Sequence, residues 1–386
     1  MNRRVTALSR AAVLAAALGS LTAVQAADFK VSEALKTLTF GGDVRLRQEY
    51  FDKTTRGMID RSRQRFRLRL ATEAELPENV KVKLRFASGT GEQTSTNQSL
   101  DNASSQKAFW IDRAYLEWKP VKWARLQGGR QANPLWTTYT SDVVWDDDLN
   151  PEGFGQSFEA LMPGNMRLFA NSLQMIGDED DTSTADQWLL SNQVGADFLI
   201  GESRWKSALA YHHFENSRIN SLSQVAVAEG NRRIAAGPSA GALANNFGVV
   251  EFTTELLFPV FDTTLTPGGT YIKNFAAQHQ QRVGHRLGDT GYQVGARLGK
   301  AAAEKTWEAA YYYKWVEVDA TLADFADSDF GDGGVNRQGH IGWVAYNPRE
   351  WLQIKFKSFF TRVINDAEPP NRDHINRYQL DLSVKF

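Results

Sequence analysis

Residues 61–70 read Arg-Ser-Arg-Gln-Arg-Phe-Arg-Leu-Arg-Leu, with arginine at every odd position and Phe66, Leu68 and Leu70 at even ones. A helix would scatter these arginines around its circumference. A strand sets all five guanidinium groups on one face and the apolar side chains on the other. The same alternation runs through 38–51, where Phe40, Val44, Leu46 and Tyr50 oppose Asp43, Arg45, Arg47 and Glu49. It returns at 80–89, where Val80, Val82, Leu84 and Phe86 oppose Lys81, Lys83 and Arg85. Further strands are predicted at 109–118, 123–131, 153–162, 166–176, 188–200, 204–215, 247–257, 263–275, 290–300, 306–317, 337–346, 351–362 and 374–386, which makes sixteen.

The connections fall into two kinds. Short, turn-rich ones at 77–79, 119–122, 163–165, 201–203, 259–262, 301–305 and 347–350 alternate with long polar ones at 90–108, 132–152, 177–187, 216–246, 276–289, 318–336 and 363–373. An even strand number with both chain ends on the short-turn side predicts an all-β fold: a transmembrane antiparallel up-and-down β-barrel of about 16 strands, with short periplasmic turns and long extracellular loops. A soluble barrel or sandwich with one arginine-rich face is the competing reading. Trp118, Trp123, Trp205, Trp307 and Trp351 lie close to short turns, and Tyr50, Trp110, Trp188 and Trp315 lie near the opposite strand ends, as interfacial girdles require. The last strand alternates through Tyr378, Leu380, Leu382 and Val384 to a terminal Phe386. This resembles the C-terminal strand by which outer-membrane proteins are recognised for insertion, so Phe386 is the expected insertion signal and the barrel-assembly machinery an expected partner.

Composition refines this picture at the N-terminus. Arg3, Arg4 and Arg10 precede an apolar core at 11–18 and a small-residue site at Val24-Gln25-Ala26, the pattern of a cleaved secretory signal peptide over residues 1–26. Residues 27–37 have a loose helical look and read as a short periplasmic or lumenal segment, leaving 38–386 for the barrel. Without those three arginines the 44 basic residues fall to 41 against 45 acidic ones, a net of −4 that gives no argument for nucleic-acid binding. With no cysteine, disulfides and thiolate metal sites are excluded. Beyond residue 26 no apolar run approaches spanning-helix length, so a membrane role requires strands.

Several stretches resemble the bacterial putative-porin family of outer-membrane barrels: Gly42-Asp-Val-Arg-Leu-Arg47, the 61–70 strand, Ser95-Thr-Asn-Gln-Ser-Leu100, 110–120 and 144–153. The resemblance implies a water-filled channel in the Gram-negative outer membrane for passive diffusion of small hydrophilic solutes or ions, and no enzyme. It does not specify the solute. Resemblance to general porins further implies a homotrimer in contact with lipid and lipopolysaccharide. The arginine ladder is also similar to that of phosphate-selective porins, whose other sequence patterns are missing here. The alternative is a non-conducting outer-membrane barrel with a structural, adhesion or hydrolytic role.

The predicted hairpins set the lumenal charges. A first turn near Arg56 places Asp43 opposite Arg69 and Glu49 opposite Arg63; a second at Glu78 places Glu75 opposite Lys81 and Glu73 opposite Lys83. Arg45, Arg47, Arg65 and Arg67 then face one another without acids, while Arg61 sits at the external rim as a solvated charge. The expected counter-charges are Asp142, Asp146, Asp147 and Asp148 on the 132–152 loop, which is expected to fold inward as in general porins and to form a constriction against Arg45, Arg47, Arg63, Arg65, Arg67, Arg69 and Arg85. Such a site would attract small hydrophilic or anionic solutes. Gly237-Pro-Ser239-Ala-Gly241 matches a nucleophile-elbow spacing but has neither the strand nor the helix that motif needs. His212 and His213 are strand neighbours pointing to opposite faces, and no metal or cofactor site is expected. The acidic runs 178–181 and 324–332 could bind divalent cations near lipopolysaccharide, but read first as solvated loops.

Overall fold

A computed structural model describes residues 33–53, 59–138, 141–179, 181, 186–215, 230–234, 241–277, 287–365 and 374–386. The proposed signal peptide, most of the 27–37 segment and residues 237–240 of the nucleophile-elbow match lie outside these. The spanning strands are β1 (Thr37–Lys53), β2 (Arg61–Leu76), β3 (Val80–Ser88), β5 (Phe109–Val121), β6 (Ala124–Arg130), β7 (Glu152–Met162), β8 (Met166–Asp178), β9 (Gln187–Ile200), β10 (Ser203–Glu215), β11 (Phe247–Val260), β12 (Thr263–Asn274), β13 (Thr290–Gly299), β14 (Trp307–Val316), β15 (Arg337–Arg349), β16 (Leu352–Val363) and β17 (Ile375–Lys385). Each pairs antiparallel with its neighbours, and β17 pairs with β1, so these sixteen close on themselves and leave no free edge along the wall. The seam extends to the last residue, where Gly42 N donates to Phe386 O (2.8 Å) and Phe386 N to Gly42 O (3.1 Å).

One further strand was not expected. The two-residue β4 (Gln98–Ser99) lies within the 90–108 connection. Because β3 stops at Ser88, β2 would otherwise expose unpaired backbone groups above Leu68. Instead Arg65 pairs with Ser99, Phe66 with Gln98, and the Ser88 hydroxyl accepts from Leu68 N (2.9 Å). The first long connection therefore folds against the wall, with Thr94–Gln98 buried.

The outer face is apolar. Leu46, Leu116, Val194, Leu209, Val294, Val344 and Leu380 are all exposed there, flanked by exposed Trp118, Trp123, Trp205, Trp307 and Trp351 at the short-turn margin. At the other margin Tyr50 and Trp110 are exposed, while Trp188 and Trp315 are half-buried.

The lumen is not lined by polar side chains alone. Val143, Val144, Trp145 and Leu149 of the 132–152 loop pack with Leu322, Ala323, Phe325 and Val335 of the 318–336 loop against Leu173, Leu189, Phe214, Phe247, Val249 and Ile272 on β8–β12. Phe330 of the second loop packs separately with Tyr312, Ile341, Trp343 and Phe359 on β14–β16, so the two loops fill much of the lumen. The 324–332 run is not a solvated loop: Asp324 and Asp327 are buried, because the interspersed Leu322, Phe325 and Phe330 carry the segment inward.

Candidate functional site: a charged passage beside the lumenal loops

Antiparallel register fixes the arginine wall. Between β1 and β2, Asp43 stands opposite Arg69, Arg45 opposite Arg67, Arg47 opposite Arg65 and Glu49 opposite Arg63, the pairing that the sequence predicts. Glu73–Lys83 and Glu75–Lys81 follow between β2 and β3.

The four arginines expected to lack acids do not lack them. Arg67 reaches diagonally to Asp43, donating from Nη2 at 2.6 Å and Nε at 3.0 Å to the same oxygen, while Arg69 Nε takes the other oxygen at 2.7 Å. Closure brings Asp381 of β17 directly opposite Arg47, which forks onto it at 2.6 and 2.8 Å. Arg45 donates to Asn97 Oδ1 at 2.5 Å and lies 3.8 Å from Asp381. Arg65 turns to Asn97 O (3.0 Å), with Glu49 3.9 Å away. Glu49 itself is fully buried and gathers Arg63, Arg377 Nη2 (2.6 Å) and Gln379 Nε2 (3.1 Å). Direct opposition between neighbouring strands understates such contacts, since diagonal partners lie within reach of a guanidinium.

Across from this wall stand the two lumenal loops, clamped to each other. Asp146 N donates to Phe325 O (2.7 Å), Asp327 N to Asp142 O (3.2 Å) and Ser328 N to Asp146 Oδ2 (2.9 Å). Lys314, buried in the wall beneath them, donates to Asp327 Oδ2 (2.8 Å) and Asp142 O (3.0 Å). Asp148 reaches the wall at Arg69 (3.7 Å) and Asp329 reaches it at Arg47 (3.4 Å) and Arg377 (2.7 Å). Burial raises the Asp142 and Asp146 carboxyls well above the usual carboxylate range, and neighbouring carboxylates push the same way. Burial likewise raises Asp147. For Asp329 burial acts upward too, but Arg377 and Arg47 outweigh it and hold that carboxyl well below the usual range.

Between wall and loops lies a cavity of about 320 Å³. Of the expected site residues, Arg45, Arg47, Arg67, Arg69, Asp146, Asp147 and Asp148 line it together. Arg63, Arg65 and Arg85 do not: Arg63 is held by Glu49 above Phe51, Arg65 is turned into the 90–108 connection, and Arg85 is paired with Asp112. Sequence reasoning missed Asp381, Asp329, Lys355 and Lys357, which also line the cavity. The alternation of β17 carried the signal for Asp381, because a closed barrel must set that strand beside β1. His212 and His213 point to opposite faces as expected, His212 buried between Ser191 Oγ (2.8 Å) and Glu251 Oε2 (2.9 Å) and His213 bonded to Glu215 (2.7 Å).

Comparison with known proteins places the barrel. The putative porin family matches residues 41–240 and 227–386. No curated protein matches the chain significantly. Among solved structures the fold is similar to OprB of Pseudomonas putida at high pH, with 9% identity, a TM-score of 0.57, and 90% of this chain and 94% of that chain covered. It is also similar to OmpF of Salmonella typhi in complex with daunomycin, with 9% identity, a TM-score of 0.56, and 90% and 97% covered. OmpT of Vibrio cholerae, expressed in the outer membrane, gives 12% identity, a TM-score of 0.50, and 92% and 99% covered. Identities this low speak for the fold alone, and the family match goes further: the chain belongs to the putative porin family and is a porin-like barrel of the outer membrane.

Proposed function

We propose that the barrel is a diffusion channel of the Gram-negative outer membrane, reached through a cleaved signal peptide at 1–26, with no catalytic role. It passes small hydrophilic solutes and ions through the passage between the arginine wall and the two lumenal loops. One observation carries this reading. The main apolar cluster of the two loops lies mostly on the β8–β12 side, with Phe330 seated separately on β14–β16, and a charged cavity of about 320 Å³ is lined from β1, β2, β16 and β17. Cations on the wall and carboxylates on the loops set a field across that passage, which orients dipolar solutes as they enter. Arg45, Arg47, Arg67 and Arg69 form one bank of the constriction and Asp146, Asp147 and Asp148, joined by Asp329, the other; Arg63, Arg65 and Arg85 support the wall. The apolar outer face faces lipid and lipopolysaccharide and provides the contact surface for a homotrimer. Phe386 and its strand engage the barrel-assembly machinery.

Purified, folded barrel reconstituted in liposomes tests the proposal by swelling in isotonic solutions of small sugars and amino acids. Swelling at rates that fall with solute size is the expected outcome. Liposomes that hold folded barrel and do not swell would overturn the channel reading and favour the non-conducting alternative, in which the loops seal the lumen.

A further inference from the structure

The passage contains two kinds of cation, and only one kind is engaged. Each arginine lining the cavity gives hydrogen bonds to a wall or loop oxygen: Arg45 to Asn97, Arg47 to Asp381, Arg67 and Arg69 to Asp43. Lys355 and Lys357 on β16 line the same cavity, and among the described residues neither has a carboxylate within 4 Å or a hydrogen-bond partner. The register explains why. Their partners across the ladder are Asp381 and Gln379, and both are drawn the other way, Asp381 to Arg47 (2.6 Å) and Gln379 to Glu49 (3.1 Å).

The lysines rest instead on aromatic faces. Lys355 Nζ is 4.8 Å from the Trp343 ring centroid, and Lys357 Nζ is 4.5 Å from that of Phe359 and 5.9 Å from that of Trp343. Trp343 is fixed as a pedestal by a 2.7 Å bond to Glu308 and by stacking on Tyr312. A ring face steadies an ammonium group without neutralising it or occupying its donors. Being two residues apart on one strand, the lysines stand on one face roughly 7 Å apart, close enough for one small anion to meet both. Arg45 adds a buried Nε with no partner. Of the facing carboxyls, burial raises Asp142, Asp146 and Asp147 above ordinary aspartates, while Asp329 is held ionised chiefly by Arg377 and Arg47 and forms no ion pair within 4 Å with either lysine.

Resting on the channel reading above, we infer that Lys355 and Lys357, with Arg45 lining the same cavity, form a transient binding site for a small oxyanion in the conduction path. The arginine ladder is thus the structural frame and the lysine pair the element that holds the permeating anion. Carboxylate and phosphate share the required chemistry, a compact group of oxygens that accepts from two ammonium groups at once.

Planar-bilayer recording on the full barrel tests this with chloride as carrier and inorganic phosphate or acetate added in turn. In the unaltered protein, phosphate is expected to depress the chloride current saturably; acetate doing so at lower concentration than phosphate would identify a carboxylate site instead. The double variant Lys355→Gln/Lys357→Gln should weaken the block by about tenfold to a hundredfold, the factor that losing one charge-assisted hydrogen bond carries, and move the reversal potential in a KCl gradient toward potassium. If the double variant yields no folded barrel, Lys357→Gln alone reads the same shift, and Lys355→Arg/Lys357→Arg should retain the block. A variant with unaltered block and reversal potential, or an unaltered protein whose chloride current neither anion affects, overturns the inference while leaving the channel standing. Absence of any current from the unaltered folded barrel would overturn the channel reading itself.

Discussion

Trp145 joins the two lumenal loops to the wall, and its removal is the sharpest test of how the passage is held open. Its indole is 3% exposed, stacks on Phe325 of the facing loop at 6.2 Å and 8°, and meets His212 of β10 edge-on at 5.7 Å. Trp145→Ala leaves the backbone clamps between the loops in place but removes the largest apolar side chain at their junction. A buried Trp→Ala change costs about 3–5 kcal/mol, from lost transfer energy and the cavity left behind. Applied to the equilibrium between seated and unseated loops, that lowers the seated ratio by roughly a hundredfold to several thousandfold. Global unfolding is not expected, because the strand ladders that close the barrel are untouched. Single-channel recording should show a larger, noisier conductance, and limited proteolysis should cut residues 318–336 faster in the variant than in the unaltered barrel. A variant with unaltered conductance and unaltered cleavage would refute the reasoning, since the apolar seat would then not set the width of the passage.

Other outcomes follow from the same contacts. Lys314→Met removes the cation beneath Asp327 and the Asp142 carbonyl; breaking such a buried pair costs roughly 3–5 kcal/mol, and proteolysis of both loops should accelerate. Asp324 is 4% exposed, and burial, only partly offset by Arg233, raises its carboxyl from 3.8 to about 7. The seated loop therefore binds the proton more tightly than the released one, so seating weakens as pH rises from about 4 and is at its weakest above about 7, by up to roughly 4 kcal/mol. Cleavage of 318–336 should be faster at pH 8 than at pH 5 relative to a site elsewhere on the barrel, and Asp324→Asn should reduce that difference, the remainder coming from Asp142, Asp146 and Asp147, which burial also raises. Deleting Phe386 removes its two backbone bonds to Gly42 and the aromatic end of β17; the yield of heat-modifiable barrel in outer-membrane fractions should fall while precursor accumulates.

The strands and their register were legible because a wall between water and lipid imposes a two-residue period on every segment that crosses it. The Asp43–Arg69 and Glu49–Arg63 pairs followed from hairpin length alone. Asp381 and Arg377 are as regularly spaced on β17 as the arginines on β2, but their role depends on closure, a contact between residues 334 positions apart in the case of Arg47 and Asp381. The lysine pair was hidden for a related reason: Lys355 and Lys357 are ordinary lumenal positions until the loss of their ladder partners to β1 leaves them unengaged. The loops were least legible. The inward course of 132–152 was expected, but its partner 318–336 has no period, and its acidic residues masked the Leu322, Phe325 and Phe330 that carry it into the lumen.

The central claim is that a charged passage stays open beside the packed loops. Single-channel recording of the purified, heat-modifiable barrel in a planar bilayer tests it most directly. Discrete conductance steps, with a reversal potential in a KCl gradient displaced toward chloride, are the result expected from the unengaged lysines. Folded barrel that inserts and passes no current would contradict it.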